Sequence, residues 1–257
     1  MKNYLIYPCK TMNITQGYSG SYSHASHING TPKDYPIDEA GADSSREYFY
    51  CPCDEIKIAY IYGVGKGGTN AIWLESTSKV VMPYGIDYVT ILVTHPNDDD
   101  LSKLKVGQKF TRGQAMFREG TDGNATGNHF HIAVGTGKYG DGWVKNTSGA
   151  WVMKTTGTQL KPEQAFYIDE SFTSIKNNNG LIFKNIPKNI YRVQTGAFSI
   201  KQNAYNFAKE LKDKGFDTYV VYVEPYYKVQ VGAFSVRENA VNMKTRLSEC
   251  GYDGFII

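Results

Sequence analysis

The stretch GTDGNATGNHFHIAVG, residues 120–135, sets two of the chain's five histidines, His129 and His131, on either side of one phenylalanine. Successive side chains of a strand point to opposite faces. Read as a strand, the stretch puts His129, His131 and Ala133 on one face and Phe130, Ile132 and Val134 on the other. The second face predicts a strand anchored in a core, which leaves the first to present two imidazoles to a cleft. The Gly/Thr/Asn-rich run before it lets backbone approach a bound chain closely.

The remaining histidines lie upstream, so all five fall within the first 131 residues. DYVTILVTH, residues 87–95, alternates in the same way and predicts a core strand in which Val89, Ile91, Val93 and His95 share a face. SHASHING, residues 23–30, carries His24 and His27, and DYPIDEAG, residues 34–41, carries Asp38 near its end. One histidine of SHASHING, Asp38 and the His-Phe-His pair together offer neutral imidazoles and a carboxylate. Zn²⁺ accepts these ligands in a tetrahedral site with one position left for water. Histidines outside the ligand set remain available for acid/base work.

The C-terminal piece repeats at a period of 36 residues without a gap: Tyr191 to Val221 lies over Tyr227 to Ile257 with 13 identities in 31 positions. Each copy runs from a strand ending in Gly-Ala-Phe into a helix, with Ser199 and Ser235 as expected N-caps answered by Gln202 and Glu238. Gly215 and Gly251 stand where a left-handed residue ends a helix. The pattern is βαβ twice over, a four-stranded sheet with two helices on one face. On the opening strands Arg192, Gln194 and Phe198 alternate with Tyr191, Val193 and Ala197, and the first set recurs as Lys228, Gln230 and Phe234. If the helices cover the second set, the open face carries amides and rings suited to a polymer of hydroxyl and acetamido groups.

Composition bounds the partners. The 257 residues are 41% hydrophobic, enough for two modest cores, and no run is long and apolar enough to span a membrane. Residues 1–187 carry 18 basic and 18 acidic side chains and residues 188–257 carry 10 and 7, so the excess of +3 is too weak to make nucleic acid the expected partner. Four scattered cysteines, Cys9, Cys51, Cys53 and Cys250, make no disulfide framework and read as reduced thiols. The start, MKNYLIYPCKTMN, lacks the apolar stretch of a signal peptide, so synthesis is expected in the cytoplasm. SFTSIKNNNGLIFKNIPKN has linker composition, giving expected domains at 1–170 and 188–257 joined by 171–187.

Two family resemblances follow. The doubled Tyr-[Arg/Lys]-Val-Gln-x-Gly-Ala-Phe-Ser resembles the SPOR domain over residues 188–257, and implies binding of peptidoglycan glycan strands, with Gln194, Phe198, Gln230 and Phe234 as candidate contacts. The block KVGQKFTRGQAMFREGTDGNATGNHFHIAV, residues 105–134, with His95 before it, resembles the lysostaphin-type zinc metallopeptidases. That resemblance implies a mostly antiparallel β domain, one Zn²⁺, and cleavage of peptide bonds in peptidoglycan stem peptides. By position it makes His131 and Asp38 metal ligands and His95 and His129 the two catalytic histidines. The family's short His-x-x-x-Asp is absent, because Asp34 stands four before Asp38. The third ligand is then His27 or His24, and His27 is preferred because it needs the shorter insertion. Together the two pieces resemble a phage endolysin of Gram-positive hosts, acting on the wall after release. The alternatives are an N-acetylmuramoyl-L-alanine amidase and a non-catalytic wall-binding adaptor.

Overall fold

The computed structural model describes residues 2–19, 23–42, 45–169, 173–177, 180–187 and 190–257. It divides into two units, Met1–Ile186 and Pro187–Ile257.

In the first unit the central strands are β1 (Thr11–Gln16), β2 (Ile37–Glu39), β3 (Glu55–Tyr62), β4 (Ala71–Ser76), β5 (Val89–Thr94), β6 (Lys109–Thr111) and β7 (Phe130–Thr136). The hairpin β8 (Tyr139–Lys145) and β9 (Trp151–Thr155) follows, then β10 (Gln159–Leu160) and β11 (Thr173–Asn177). The main sheet has nine strands in the order β11-β1-β2-β7-β5-β4-β3-β6, with β10 also paired to β7. Every pairing in it is antiparallel except β1 with β11. The unit is mostly β, as the resemblance of its sequence implied.

Strand β7 is central and two-sided. Phe130, Ile132 and Val134 join Ile91, Val93, Ile72 and Leu74 in the main core, where each fully buried side chain contributes about 1.5–3 kcal/mol. Ala133 points the other way, into a second small core with Ala71, Trp73, Leu92 and Met153 that the hairpin residue Trp143 packs against. Both faces of the sheet are therefore covered at this end. His131, two residues before Ala133, lies on the same side at the other end.

The segment expected as a linker is, in its described part, structural. Its strand β11 pairs with β1, Leu181 and Phe183 pack against the main core, and Phe183 meets the Tyr7 ring edge-on at 5.4 Å. The expected boundary at residues 170 and 171 lies outside the described residues. Within them the first unit ends at Ile186.

The second unit is β12 (Tyr191–Phe198), α2 (Lys201–Asp213), β13 (Thr218–Val223), β14 (Tyr226–Phe234), α3 (Arg237–Glu249) and β15 (Phe255–Ile256). Its antiparallel sheet runs β13-β14-β12-β15, with Ala204, Ala208 and Leu211 of α2 and Ala240 and Leu247 of α3 buried on Val193, Val229 and Val231. This is the expected α+β arrangement. Gly215 and Gly251 close the helices at φ of 82° and 84°. The expected serine caps do not form: the N-caps are Ile200 and Val236, one residue beyond each serine, with no side-chain cap bond.

Candidate active site and metal centre

A cleft of about 630 Å³ on the first unit gathers all five histidines together with Asp38, Tyr62, Trp143 and Trp151. Strand register assembles its centre. Antiparallel pairing sets His131 of β7 directly opposite Asp38 of β2, so the two side chains share a face. His24 joins them from the residue preceding the short helix α1 (Ala25–Ile28). His24 Nε2, His131 Nδ1 and Asp38 Oδ1 form a triangle with sides of 3.1, 3.1 and 3.2 Å.

The chemistry of this donor set fits a divalent cation. The other ring nitrogen of His24 lies 3.1 Å from the Gly17 carbonyl, which can only accept, so the neutral ring carries its proton on Nδ1 and turns a lone pair on Nε2 toward the group. Acceptor atoms turned on one another call for a cation or a proton among them, and three such ligand atoms suit a cation. The sides of the triangle are close to the spacing of about 3.3 Å between ligand atoms around a tetrahedral zinc at about 2.0–2.1 Å. An outer partner that fixes the ring, here the Gly17 carbonyl, is usual for a metal-binding histidine. Burial alone would raise Asp38, but the close approach of the His131 and His24 ring nitrogens outweighs it and holds the carboxyl below the usual range. Burial also lowers His131, against the pull of Asp38.

His27, preferred from the sequence as third ligand, is not in this group. His24 precedes α1 and His27 lies in its last turn, so His24 faces the group while His27 Nδ1 meets Asp34 Oδ1 at 2.7 Å. Residue counting favoured the shorter insertion, whereas the path of the turn decides which imidazole arrives. Asp34, passed over as a non-histidine, is 1% exposed and also accepts from the Met153 backbone N–H.

His95 and His129 stand beside the group, their rings 4.5 Å apart, and His129 Nε2 lies 3.9 Å from Asp38 Oδ1. Each is oriented by a backbone carbonyl: His95 Nδ1 faces Asp122 and His129 Nδ1 faces Gly127, both at 2.8 Å, which keeps the ring proton on Nδ1 and leaves Nε2 bare. Burial lowers the His95 imidazole to about 4, against the Asp122 hydrogen bond. The expected face of His95 is corrected. Val89, Ile91 and Val93 enter the main core, but His95 has φ of +80° and so leaves the strand's alternation for the cleft.

On the second unit, two of the four candidate contacts keep the open face. Register aligns Tyr219, Gln230, Gln194 and Phe255 in one row across the four strands, with Tyr219 hydroxyl donating to Gln230 Oε1. Both glutamines are 5% exposed between Tyr219 at 42% and Phe255 at 54%. Phe198 and Phe234 do not stay there; both pack against the helix-side core. The pairing of β12 with β14 shifts register between Tyr191 and Val193 and between Gln194 and Gly196, and each shift breaks the period of two. Phe198 meets Phe207 of α2 at 5.4 Å and lies across Gly196, as Phe234 lies across Gly232. Sequence reading missed Tyr219 and Phe255, whose place follows from cross-strand register alone.

Comparison with known proteins gives four points of likeness. Residues 187–257 match the SPOR domain family. Over 165 residues, 63% of the chain, the sequence is 31% identical to morphogenesis protein 1 of Bacillus phage B103, and the match spans 40% of that protein's length. Among solved structures, the peptidoglycan-binding domain of the B. subtilis cell wall lytic enzyme CwlC is 39% identical, covering 30% of this chain and 96% of that one at a TM-score of 0.28. A zinc-containing peptidase from Vibrio cholerae is 21% identical, covering 52% of this chain and 37% of that one at a TM-score of 0.35.

Proposed function

We propose that the chain is a zinc-dependent peptidoglycan hydrolase, an endopeptidase acting on stem-peptide cross-links, whose second unit holds the glycan of the same wall. The observation that carries this reading is the triangle of His24, Asp38 and His131 with His95 and His129 beside it in one cleft. His24, Asp38 and His131 are the ligands in this proposal, and His24 takes the place first given to His27. Zinc held there supplies Lewis acidity, which lowers the pKa of a water and polarises a carbonyl.

The chain's own groups do the rest. His95, neutral at pH 7, and His129 offer bare Nε2 atoms to the proton released as water adds to the scissile carbonyl. The same pair returns a proton to the amine nitrogen as the C–N bond breaks, so peptide and water become acid and amine. The row Tyr219-Gln230-Gln194-Phe255 supplies two exposed rings, Tyr219 and Phe255, on which sugar rings stack, held over two buried glutamine amides. Tethering to the wall raises the local concentration of its peptides. The likeness to a phage protein suits a phage-borne enzyme, and the proposal extends to a role in lysis of the host, with the enzyme made in the cytoplasm and reaching the wall on release.

Mass spectrometry of fragments released from purified peptidoglycan tests the reading. New amino groups on cross-link residues are expected, together with loss of all release in chelator. Free lactyl-sugars with intact stem peptides would make the enzyme an amidase, and release that persists in chelator, or no release with zinc bound, would overturn the hydrolase as described.

A further inference from the structure

The His27–Asp34 pair is left unused by the proposed chemistry, yet it is built with care. Asp34 is 1% exposed, and a carboxylate so placed costs several kcal/mol unless its oxygens are satisfied. Here Oδ1 meets His27 Nδ1 at 2.7 Å and Oδ2 accepts the Met153 N–H at 2.8 Å. Asn146 ties the neighbouring backbone to the same hairpin, its Nδ2 donating to the Ser26 carbonyl at 2.9 Å. His27 is thus fixed to the wall of the cleft that carries Trp143 and Trp151. Its ring touches those of His24 and His131, whereas His95 and His129 touch each other and His95 touches His131. Among the described residues no ring contact joins His27 to His95 or His129, so it flanks the metal group on its own side.

Resting on the hydrolase reading, we propose that His27 is a substrate-positioning residue whose bare Nε2 accepts a backbone N–H of the bound peptide, with Asp34 setting the tautomer that makes it an acceptor. An ionised carboxylate can only accept, so Nδ1 carries the proton and Nε2 is left with its lone pair. Asp34→Asn inverts this arrangement. The Met153 N–H holds the amide oxygen at the Oδ2 position, so the new NH₂ group faces Nδ1, donates to it, and drives the ring proton to Nε2. The cleft then meets the substrate N–H with a donor instead of an acceptor.

The test uses the zinc-loaded full chain and a soluble cross-linked dimer of wall stem peptides. His27→Ala and Asp34→Asn are expected to raise KM about tenfold, the equivalent of one hydrogen bond, with kcat and zinc stoichiometry held. His27→Gln, which restores an acceptor oxygen, recovers most of the loss. Nitrogen NMR at neutral pH should find the His27 proton on Nδ1 in the wild type and on Nε2 in Asp34→Asn. Loss of zinc in His27→Ala would make His27 a ligand and overturn the proposal while leaving the hydrolase reading intact. Unchanged kinetics in His27→Ala, or a proton on Nε2 of the wild type, overturn it too. A wild type that binds zinc and cuts no wall peptide overturns the hydrolase reading itself, and this one with it.

Discussion

Strand β7 of the first unit and strands β12 and β14 of the second are written in the same alternating style, and they fold differently. Along β7 the period of two holds from end to end, so Phe130, Ile132 and Val134 enter one core while His131 and Ala133 face the other way. Along β12 and β14 register shifts intervene, and Phe198 and Phe234 cross to the helix side while Gln194 and Gln230 remain on the open face. Alternation is a local rule that one extra residue resets. The Gly-Ala-Phe of each repeat marks that reset: the phenyl ring two residues on lies across the glycine, where a Cβ on Gly232 would sit 2.3 Å from Phe234 Cζ.

The contrast can be broken most severely at β7. Ile132→Asp places a carboxylate at a 0% exposed site facing the main core, at a cost of several kcal/mol. The expected outcome is loss of the first unit's unfolding transition in calorimetry while that of the second survives. On the opposite face, Asp38→Ala should leave the fold and remove zinc, seen by metal analysis, with wall hydrolysis falling on the order of a thousandfold.

The units also differ in what they bury. In the first, burial raises Glu119 to about 7 and Glu39 to about 8, whereas in the second the shifted groups, Lys214 and Tyr252, take their shifts chiefly from hydrogen bonds to side-chain partners at the surface. A carboxyl raised in the folded state binds a proton there that the unfolded chain gives up near pH 4.5. Its contribution is complete below that pH and is lost as pH rises through 7. For Glu119 the loss reaches about 3 kcal/mol at roughly 1.4 kcal/mol per unit. Thermal melts should show the first unit weakening from pH 5 to 8, and Glu119→Gln should flatten part of that slope. The smallest expected effect is at the bulge: Gly232→Ala, at φ of +65°, should destabilise the second unit by about 2 kcal/mol in denaturant titration, with the first unit unmoved.

Much of this architecture was legible in the residues. Apolar alternation located β5 and β7, the 36-residue period gave the second unit its strands and helices, and the glycines at 215 and 251 marked where those helices end. Asp38 and His131 could be read as neighbours because such side chains at strand positions are few. That His24 rather than His27 stands within 3.2 Å of them could not, since it depends on the path of a one-turn helix that no spacing encodes. The outer partners were hidden for the same reason: Gly17, Asp122 and Gly127 act through backbone carbonyls, which every residue has. Tyr219 and Phe255 needed the strand order before they could be placed beside the glutamines. In the expected linker, the docking of its apolar Leu181-Ile182-Phe183 segment was legible, whereas the parallel pairing of Thr173–Asn177 with β1 was not, because Asn-rich composition says nothing of the partner that β1 offers.

The positive φ of His95 sets function against robustness. A side chain with a Cβ is strained in the left-handed region, where glycine and, to a lesser degree, asparagine and aspartate are at ease. The chain keeps an imidazole there all the same, anchored through Nδ1 to the Asp122 carbonyl and through its backbone N–H to the Asn70 carbonyl. Selection for thermal resilience alone would drift this position toward glycine, and selection for turnover would restore the histidine. Position 95 is therefore where a library screened first for one property and then for the other should show the two demands pulling apart.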